Sequence, residues 1–310
     1  MRTFLLRLSE SKRLAPLIMR NGVSRRVARR FVAGESLEDA LAAASEVNRA
    51  LQLASLDLLG ENVSDEAGAR RAADEYLAIF DRIARERLDA NVSLKLTQLG
   101  LDLGEELCQE LLEKIVAHAT SQGNFVRVDM EGSAYTQRTV EMVKRVRARY
   151  AGVGTVMQAY LYRTEQDVRD LLAAGCRMRL CKGAYQEPAD VALPKKADVD
   201  ANYVKLMKLL LPSGIYHGIA THDPAMIRAT TDFVREQDIK RDRFEFQMLY
   251  GIRTDLQQKL VHDGFRVRVY IPFGVDWFPY FMRRLAERPA NMTFFLRNLL
   301  PRTARAAATR

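Results

Sequence analysis

Apolar and polar positions follow two rhythms along this chain, and the rhythms take turns. Eight short segments show the period-two alternation, or the β-branched and aromatic enrichment, of strands: 54–59, 92–97, 125–130, 153–161, 177–182, 215–221, 244–249 and 266–271. Between them apolar residues recur at spacings of three and four, as on one face of a helix, over 65–88, 104–119, 136–149, 165–174, 199–211, 224–237 and 254–262. Asp65 suits a helix N-cap, and Pro224 suits a first helical turn. Successive strands begin roughly 25–40 residues apart, the repeat of a βα unit.

Residues 3–50 read as two or three short helices broken at Gly22 and Gly34, an N-terminal helical arm. At the other end, Pro272 and Gly274 are expected to stop the last strand. Asp276 can cap a closing helix through WFPYFMRRLAE, where Pro279 is tolerable because it falls in the first turn. Tyr280, Arg283, Arg284 and Glu287 then share one helix face. Two adjacent guanidinium forks suit a carboxylate, and Glu287 could orient one of them. A solvated basic surface face is the competing reading.

Eight strands, each followed by a helix, predict a (β/α)8 barrel, TIM-type, over 51–290, after the arm at 1–50 and before a basic tail at 291–310. A doubly wound open sheet is the alternative. Its nucleotide fingerprint is missing: Gly152 and Gly154 give GxG, but Met157 stands where a third glycine belongs, and the pair opens a strand instead of following one.

Composition narrows the classes. The chain has 310 residues, 48% hydrophobic, enough for one large domain or two small ones. Cys108, Cys176 and Cys181 form no CxxC pair, which points to a reducing compartment and no disulfides. His118, His217, His222 and His262 show no metal-ligand spacing. The net charge of +9, with arginines crowded at both ends, could attract anionic lipid or nucleic acid, or be plain solvated surface. No apolar run approaches the roughly 20 residues of a membrane span. The N-terminus is charged throughout and does not read as a secretory signal.

On a barrel, functional residues gather at the C-terminal ends of the strands. Here those ends carry Glu61, Lys95, Asp129, Glu131, Gln158, Tyr160, Arg179, Lys182, Thr221, His222, Asp223, Gln247 and Tyr270, with Arg283 and Arg284 on the helix that follows. Polar residues inside strands are costly unless paired or used, so a ring of them argues for a lined pocket. The cationic excess implies a small anionic ligand, a carboxylate, a phosphate, or both. Lys95 in an apolar strand could be a Schiff-base nucleophile, as in a barrel lyase, or a charge partner for a carboxylate. His222 could equally be a hydrogen-bonded strand-end histidine, and Cys176 and Cys181 read as core. A basic scaffold acting through its arginine-rich ends would leave the polar ring unexplained.

Seven motifs in order, VSLKLTQLG, VRVDMEGSAYT, MQAYLYRT, RLCKGAYQE, IATHDP, FEFQMLYG and YIPFG…YFMRRLAE, resemble proline dehydrogenase over about residues 54–290, and the arm resembles that of the short bacterial, monofunctional form. The resemblance implies a distorted (β/α)8 barrel with the last helix over its mouth. It implies oxidation of L-proline to Δ1-pyrroline-5-carboxylate by hydride transfer to FAD, the flavin being reoxidised by a membrane quinone.

Matched residue by residue, Arg283, Arg284 and Lys95 would clamp the proline carboxylate, Tyr270, Tyr280 and Leu249 would pack round the ring, and Asp129 would lie in the hydrogen-bond shell beneath. Arg179, Asp129 and Tyr270 would be the residues closest to the chemistry. Gln158 and Arg179 would bond the isoalloxazine ring. Lys182, Gly183, Ala184 and Tyr185 would line the ribityl and phosphate path, with Thr221, His222 and Gln247 continuing toward the adenosine. Glu61, pairing with Arg283 and helped by Glu287, would close the site.

The chain departs from the bifunctional relatives in a shorter segment between Gly274 and Tyr280, and nothing after Pro301 resembles their second domain. The next step would therefore belong to a separate pyrroline-5-carboxylate dehydrogenase. Tyr270 favours proline over hydroxyproline, because hydroxyproline-oxidising relatives carry a smaller residue there. The expected location is cytoplasmic, with peripheral membrane contact and no nucleic-acid partner.

Overall fold

The computed structural model describes residues 28–60 and 63–287. In chain order the elements are α1 (Leu37–Arg49), β1 (Leu53–Leu58), α2 (Glu66–Glu86), β2 (Ala90–Leu94), α3 (Glu105–Ser121), β3 (Val126–Val128), α4 (Ser133–Arg147), β4 (Val153–Gln158) and α5 (Thr164–Ala173). There follow β5 (Arg177–Cys181), α6 (Lys196–Leu210), β6 (His217–Ala220), α7 (Pro224–Glu236), β7 (Phe244–Leu249), α8 (Thr254–His262), β8 (Val267–Phe273) and α9 (Trp277–Glu287). The eight strands are parallel and close into a barrel, β8 pairing with β1 from Leu53↔Arg268 to Leu58↔Phe273. The closed barrel replaces the open-sheet alternative.

The strand registers explain why the sequence alternates even though both strand faces are buried. Ala54, Leu56, Val92, Leu94, Val126, Val128, Phe246, Val269 and Ile271 face the helices and form the main apolar core. Their neighbours Ser55, Asp57, Ser93, Arg127, Asp129, Arg179, Glu245, Gln247 and Arg268 fill the barrel lumen, bonded to one another. The lumen is thus a polar core inside an apolar sleeve. Most of these buried charges pair, which offsets their burial, whereas Arg127 donates to the main-chain carbonyls of Thr155 and Arg177.

Local signals set the helix starts. The Asp65 carboxylate accepts from Gly68 N at 2.7 Å at the start of α2, and Asp223 caps α7 through Ala225 N, with Pro224 in the first turn. Ser36 and Asp39 form a reciprocal capping box on α1.

Several expected limits shift. β2 ends at Leu94, so Lys95 stands just past the strand, before a short 3-10 turn over Leu96–Leu99. β4 ends at Gln158, not at 161. Pro272 does not stop β8: the strand continues to Phe273, whose carbonyl accepts from Leu59 N at 2.8 Å.

α1 packs on β1 and β8, burying Ala40, Leu41, Ala44 and Val47. It occupies the flank that a helix after β8 takes in a regular barrel. That leaves α9 to lie at the mouth, where Trp277, Phe278, Phe281 and Met282 join Phe31, Val32 and Ile252 in a second apolar cluster. Trp277 Nε1 donates to Glu35 at 3.1 Å. Of the helical arm expected over 1–50 only residues 28–50 lie among the described residues, and the basic tail expected over 291–310 lies outside them.

Candidate active site

At the C-terminal ends of the strands lies a cavity of about 430 Å³. The strand-end ring predicted from sequence supplies much of its wall: Lys95, Asp129, Gln158, Arg179, Lys182, Thr221, His222, Gln247, Leu249 and Tyr270. The loop residues Gly183, Ala184 and Tyr185, and Tyr280 and Arg284 from α9, complete it. Glu61 lies outside the described residues, as do the side chains of Arg283 and Glu287.

Asp129 is the hub of the lower wall. Its two oxygens accept from Arg179 Nη1 at 2.7 Å and from the Tyr270 hydroxyl at 2.9 Å. Arg179 is buried; it also donates to Ser93 Oγ at 2.9 Å and to the Gln247 amide oxygen, and its guanidinium lies 5.1 Å from the Tyr270 ring centre. So four strands fix one guanidinium in place. Burial pushes the Tyr270 phenol well above its ordinary range, and the Asp129 carboxylate adds to this, so the hydroxyl remains a donor. Gln247 lines the cavity and also bonds inward: it accepts from Arg179 and donates to Glu245 at 2.5 Å inside the lumen.

Lys95 Nζ lies 3.1 Å from Asp57 Oδ1. Asp57 has no exposed surface and was not singled out by the sequence reading. The signal was present, a lone carboxylate inside an apolar strand. Burial pushes its carboxyl up, against the pull of Lys95. On this side of the cavity the cations Lys95, Arg179 and Arg284 meet the carboxylates Asp57 and Asp129, while on the far wall Lys182 meets Asp200 and Asp223. Guanidinium and ammonium groups gathered on one wall suit an anionic group of the substrate.

The far wall is built differently. Lys182 Nζ lies 2.7 Å from Asp223 Oδ2 and 2.5 Å from Asp200 Oδ1. The Lys182 hydrogen bond holds the Asp223 carboxyl below its usual range. His222 Nε2 accepts from Leu249 N at 2.9 Å, which fixes the end of β7. Gly183 has φ +113, and a Cβ there would come within 2.3 Å of the Tyr160 ring, so only glycine fits this turn. Gln158 donates to the Met130 and Glu131 carbonyls at 3.4 and 3.3 Å, while its buried Oε1 has no protein donor. It therefore offers an acceptor to a bound group.

Glu131 belongs to the scaffold: it accepts from Thr97 N and Oγ1, at 3.3 and 2.9 Å. Cys176 is core, as expected, whereas Cys181 is half-buried in the cavity wall; burial pushes its thiol up to about 11. Among the described residues no cluster of three or more His, Cys, Asp or Glu could hold a metal.

Fold and cavity together define a TIM-type barrel enzyme for a small anionic substrate. A family model described as "Proline dehydrogenase" matches residues 40–297. The chain is 42% identical over 300 residues to "Proline dehydrogenase 1" of Bacillus subtilis (strain 168), covering 97% of this chain and 99% of that one. It is 41% identical over 279 residues to "Proline dehydrogenase" of Deinococcus radiodurans, covering 88% and 90%. Among solved structures, proline utilization A (PutA) from Bdellovibrio bacteriovorus, inactivated by N-propargylglycine, superposes with a TM-score of 0.80 at 26% identity, covering 85% of this chain and 33% of that one. The chain belongs to the proline dehydrogenase family. A Schiff-base lyase is not favoured, because the family match and the relatives are proline dehydrogenases.

Proposed function

We propose that this protein oxidises L-proline to Δ1-pyrroline-5-carboxylate, the first step of proline catabolism to glutamate, using FAD. One observation carries the reading. Cations suited to a carboxylate, Lys95 and Arg284, share a single cavity with Gln158, whose buried acceptor lacks a protein donor, and with the fixed guanidinium of Arg179.

Forming the C=N bond removes a hydride from the ring carbon beside nitrogen and a proton from nitrogen. When bound, FAD supplies the hydride acceptor. The residues present fit it. Gln158 Oε1 has the free lone pairs that a flavin N–H needs, and the Gly183 turn, packed on the Tyr160 ring, sets the Lys182–Tyr185 loop along the cavity wall. Gln158 and Arg179 would hold the ring system, Lys182, Gly183, Ala184 and Tyr185 the ribityl and phosphate path, and Thr221 and His222 the approach to the adenosine. Gln247 acts here through Arg179, which it orients.

Arg284 and Lys95, with Arg283 beside them, would grip the carboxylate and so fix the ring against rotation. Tyr270, Tyr280 and Leu249 would flank the ring. Asp129, held by Arg179 and Tyr270, would support it from below. Glu61 pairing with Arg283, helped by Glu287, would close the site over bound substrate.

Electrons would pass to a membrane quinone from an enzyme working in the cytoplasm, with peripheral contact at the inner face of the membrane. Among the described residues no helix is long and apolar enough to cross a membrane, and the net charge of +9 favours an anionic lipid surface. A separate pyrroline-5-carboxylate dehydrogenase would consume the product.

The test is product identification. Purified protein is incubated with L-proline and a soluble quinone, and the products are read by mass spectrometry. A cyclic imine lighter than proline by two hydrogens, formed in step with quinone reduction, supports the proposal. Unchanged proline with a flavin-loaded protein overturns it.

A further inference from the structure

The opposite end of the barrel, at the N-terminal ends of the strands, holds a second cavity of about 410 Å³. Its wall includes Asn91, Arg127, Arg177, Tyr216, Glu245 and Arg268. None of these belongs to the site described above.

Arg127 is the unusual member. It is 3% exposed, and its Nη1 donates to the Thr155 and Arg177 carbonyls at 3.1 and 3.2 Å. Its Nε is buried with no acceptor, and no carboxylate among the described residues pairs with it. Burial pulls this guanidinium down to about 9. Two carboxylates, Asp89 and Glu245, line the same cavity against four arginines, Arg87, Arg127, Arg177 and Arg268, and Glu245 is already committed. Glu245 accepts from Arg268 Nε at 2.7 Å, from the Tyr216 hydroxyl at 3.0 Å and from Gln247 at 2.5 Å.

Arg268 is satisfied, since it also reaches the Ala54 carbonyl at 2.6 Å. A buried guanidinium whose side-on edge lacks an acceptor is costly. Nearby, the buried Asn91 Oδ1 lacks a donor. The Phe125 ring lies between Arg127, 4.8 Å from its centre, and Arg177, 5.2 Å away. Gly154 leaves room for it, because a Cβ there would meet Phe125 at 2.8 Å and the Arg177 carbonyl at 2.2 Å.

We infer that this cavity is a second ligand site, for a small carboxylate carrying a hydroxyl or amino donor: the Arg127 edge and Arg177 take the carboxylate, and Asn91 Oδ1 takes the donor. The geometry matches because an arginine edge receives a carboxylate as two parallel hydrogen bonds. The site lies at the barrel end remote from the active-site cavity, and the inference does not rest on the proline reading.

The probe is glycolate, titrated calorimetrically at constant ionic strength into the flavin-loaded full chain. Arg284→Ala serves as background, so that binding at the upper cavity is disabled. Saturable binding should be present there, and should weaken about tenfold or more on adding Arg177→Gln, the cost of losing a charge-assisted partner. Arg177 is exposed, so this change leaves the fold intact. Arg127→Gln should abolish the glycolate-dependent rise in Tm. Absence of saturable binding in Arg284→Ala, or equal affinity with and without Arg177→Gln, would overturn the proposal.

Discussion

Lys95 Nζ, just past the end of β2, lies 3.1 Å from Oδ1 of Asp57 near the end of the neighbouring β1, and both side chains are buried. The pair fixes the Lys95 side chain at the cavity wall. Asp57→Asn removes its buried countercharge. Breaking such a pair costs about 3–5 kcal/mol of stability. The variant should also turn over proline more slowly, because Lys95 is no longer held in place at the cavity wall. Urea melts and kcat/KM for proline check both. Wild-type stability with an unchanged kcat/KM would show the pair to be idle.

His217 gives a pH prediction with a definite sign. It has no exposed surface; Met178 N donates to its Nδ1 at 3.0 Å, and burial lowers its pKa from 6.5 to about 3. Below pH 6.5 the unfolded chain takes up a proton here that the folded chain refuses. This contribution to stability is therefore full above 6.5 and is lost as pH falls from 6.5 toward 3. The slope approaches about 1.4 kcal/mol per pH unit. Denaturant midpoints between pH 7 and 5 should fall less steeply in His217→Gln than in wild type. Parallel slopes would rule the histidine out as the cause.

The flavin wall makes its own prediction. Gly183→Ala forces a Cβ into the Tyr160 ring from a backbone with φ +113, so the loop must move. Gln158→Leu removes an amide whose Oε1 awaits a donor and orphans nothing charged. Both should be purified with less flavin per chain than wild type, with Gln158→Leu otherwise folded by circular dichroism. Full flavin retention in both would move the flavin away from this wall.

The barrel was legible because its lumen is polar. Alternation in RVRVY and FEFQM marks the strands: Arg268 and Glu245 point in and pair, while Val267, Val269, Phe244 and Phe246 pack outward. In an apolar lumen the same strands would have read as continuous hydrophobic runs. The strand-end ring was legible for the same reason, since Lys95, Asp129, Arg179 and Tyr270 interrupt apolar segments. Asp57 was passed over because its partner lies 38 residues away, and pairing across a sheet leaves no local mark. The extension of β8 through Pro272 was hidden because proline removes one donor, yet its own φ suits an extended strand. The lower cavity was invisible for a further reason: Arg127 reads as one more lumen charge until its lack of a carboxylate is seen.

The carboxylate clamp is tested by Arg284→Ala. The side chain lines the cavity with its guanidinium 5.3 Å from the Tyr280 ring centre. Truncation strips a charged partner from the substrate and should cost about 2–5 kcal/mol in kcat/KM for proline. Flavin content should be unchanged, because the residues proposed to hold the flavin are Gln158, Arg179 and the Lys182–Tyr185 loop. Near-normal kcat/KM would contradict the clamp.

The most direct measurement is the visible spectrum of the purified, flavin-loaded protein, taken without oxygen before and after L-proline is added. The account predicts flavin bands that bleach with proline and return when quinone is supplied. Flavin bands that persist at saturating proline, or a protein that stays colourless after reconstitution with FAD, would contradict it.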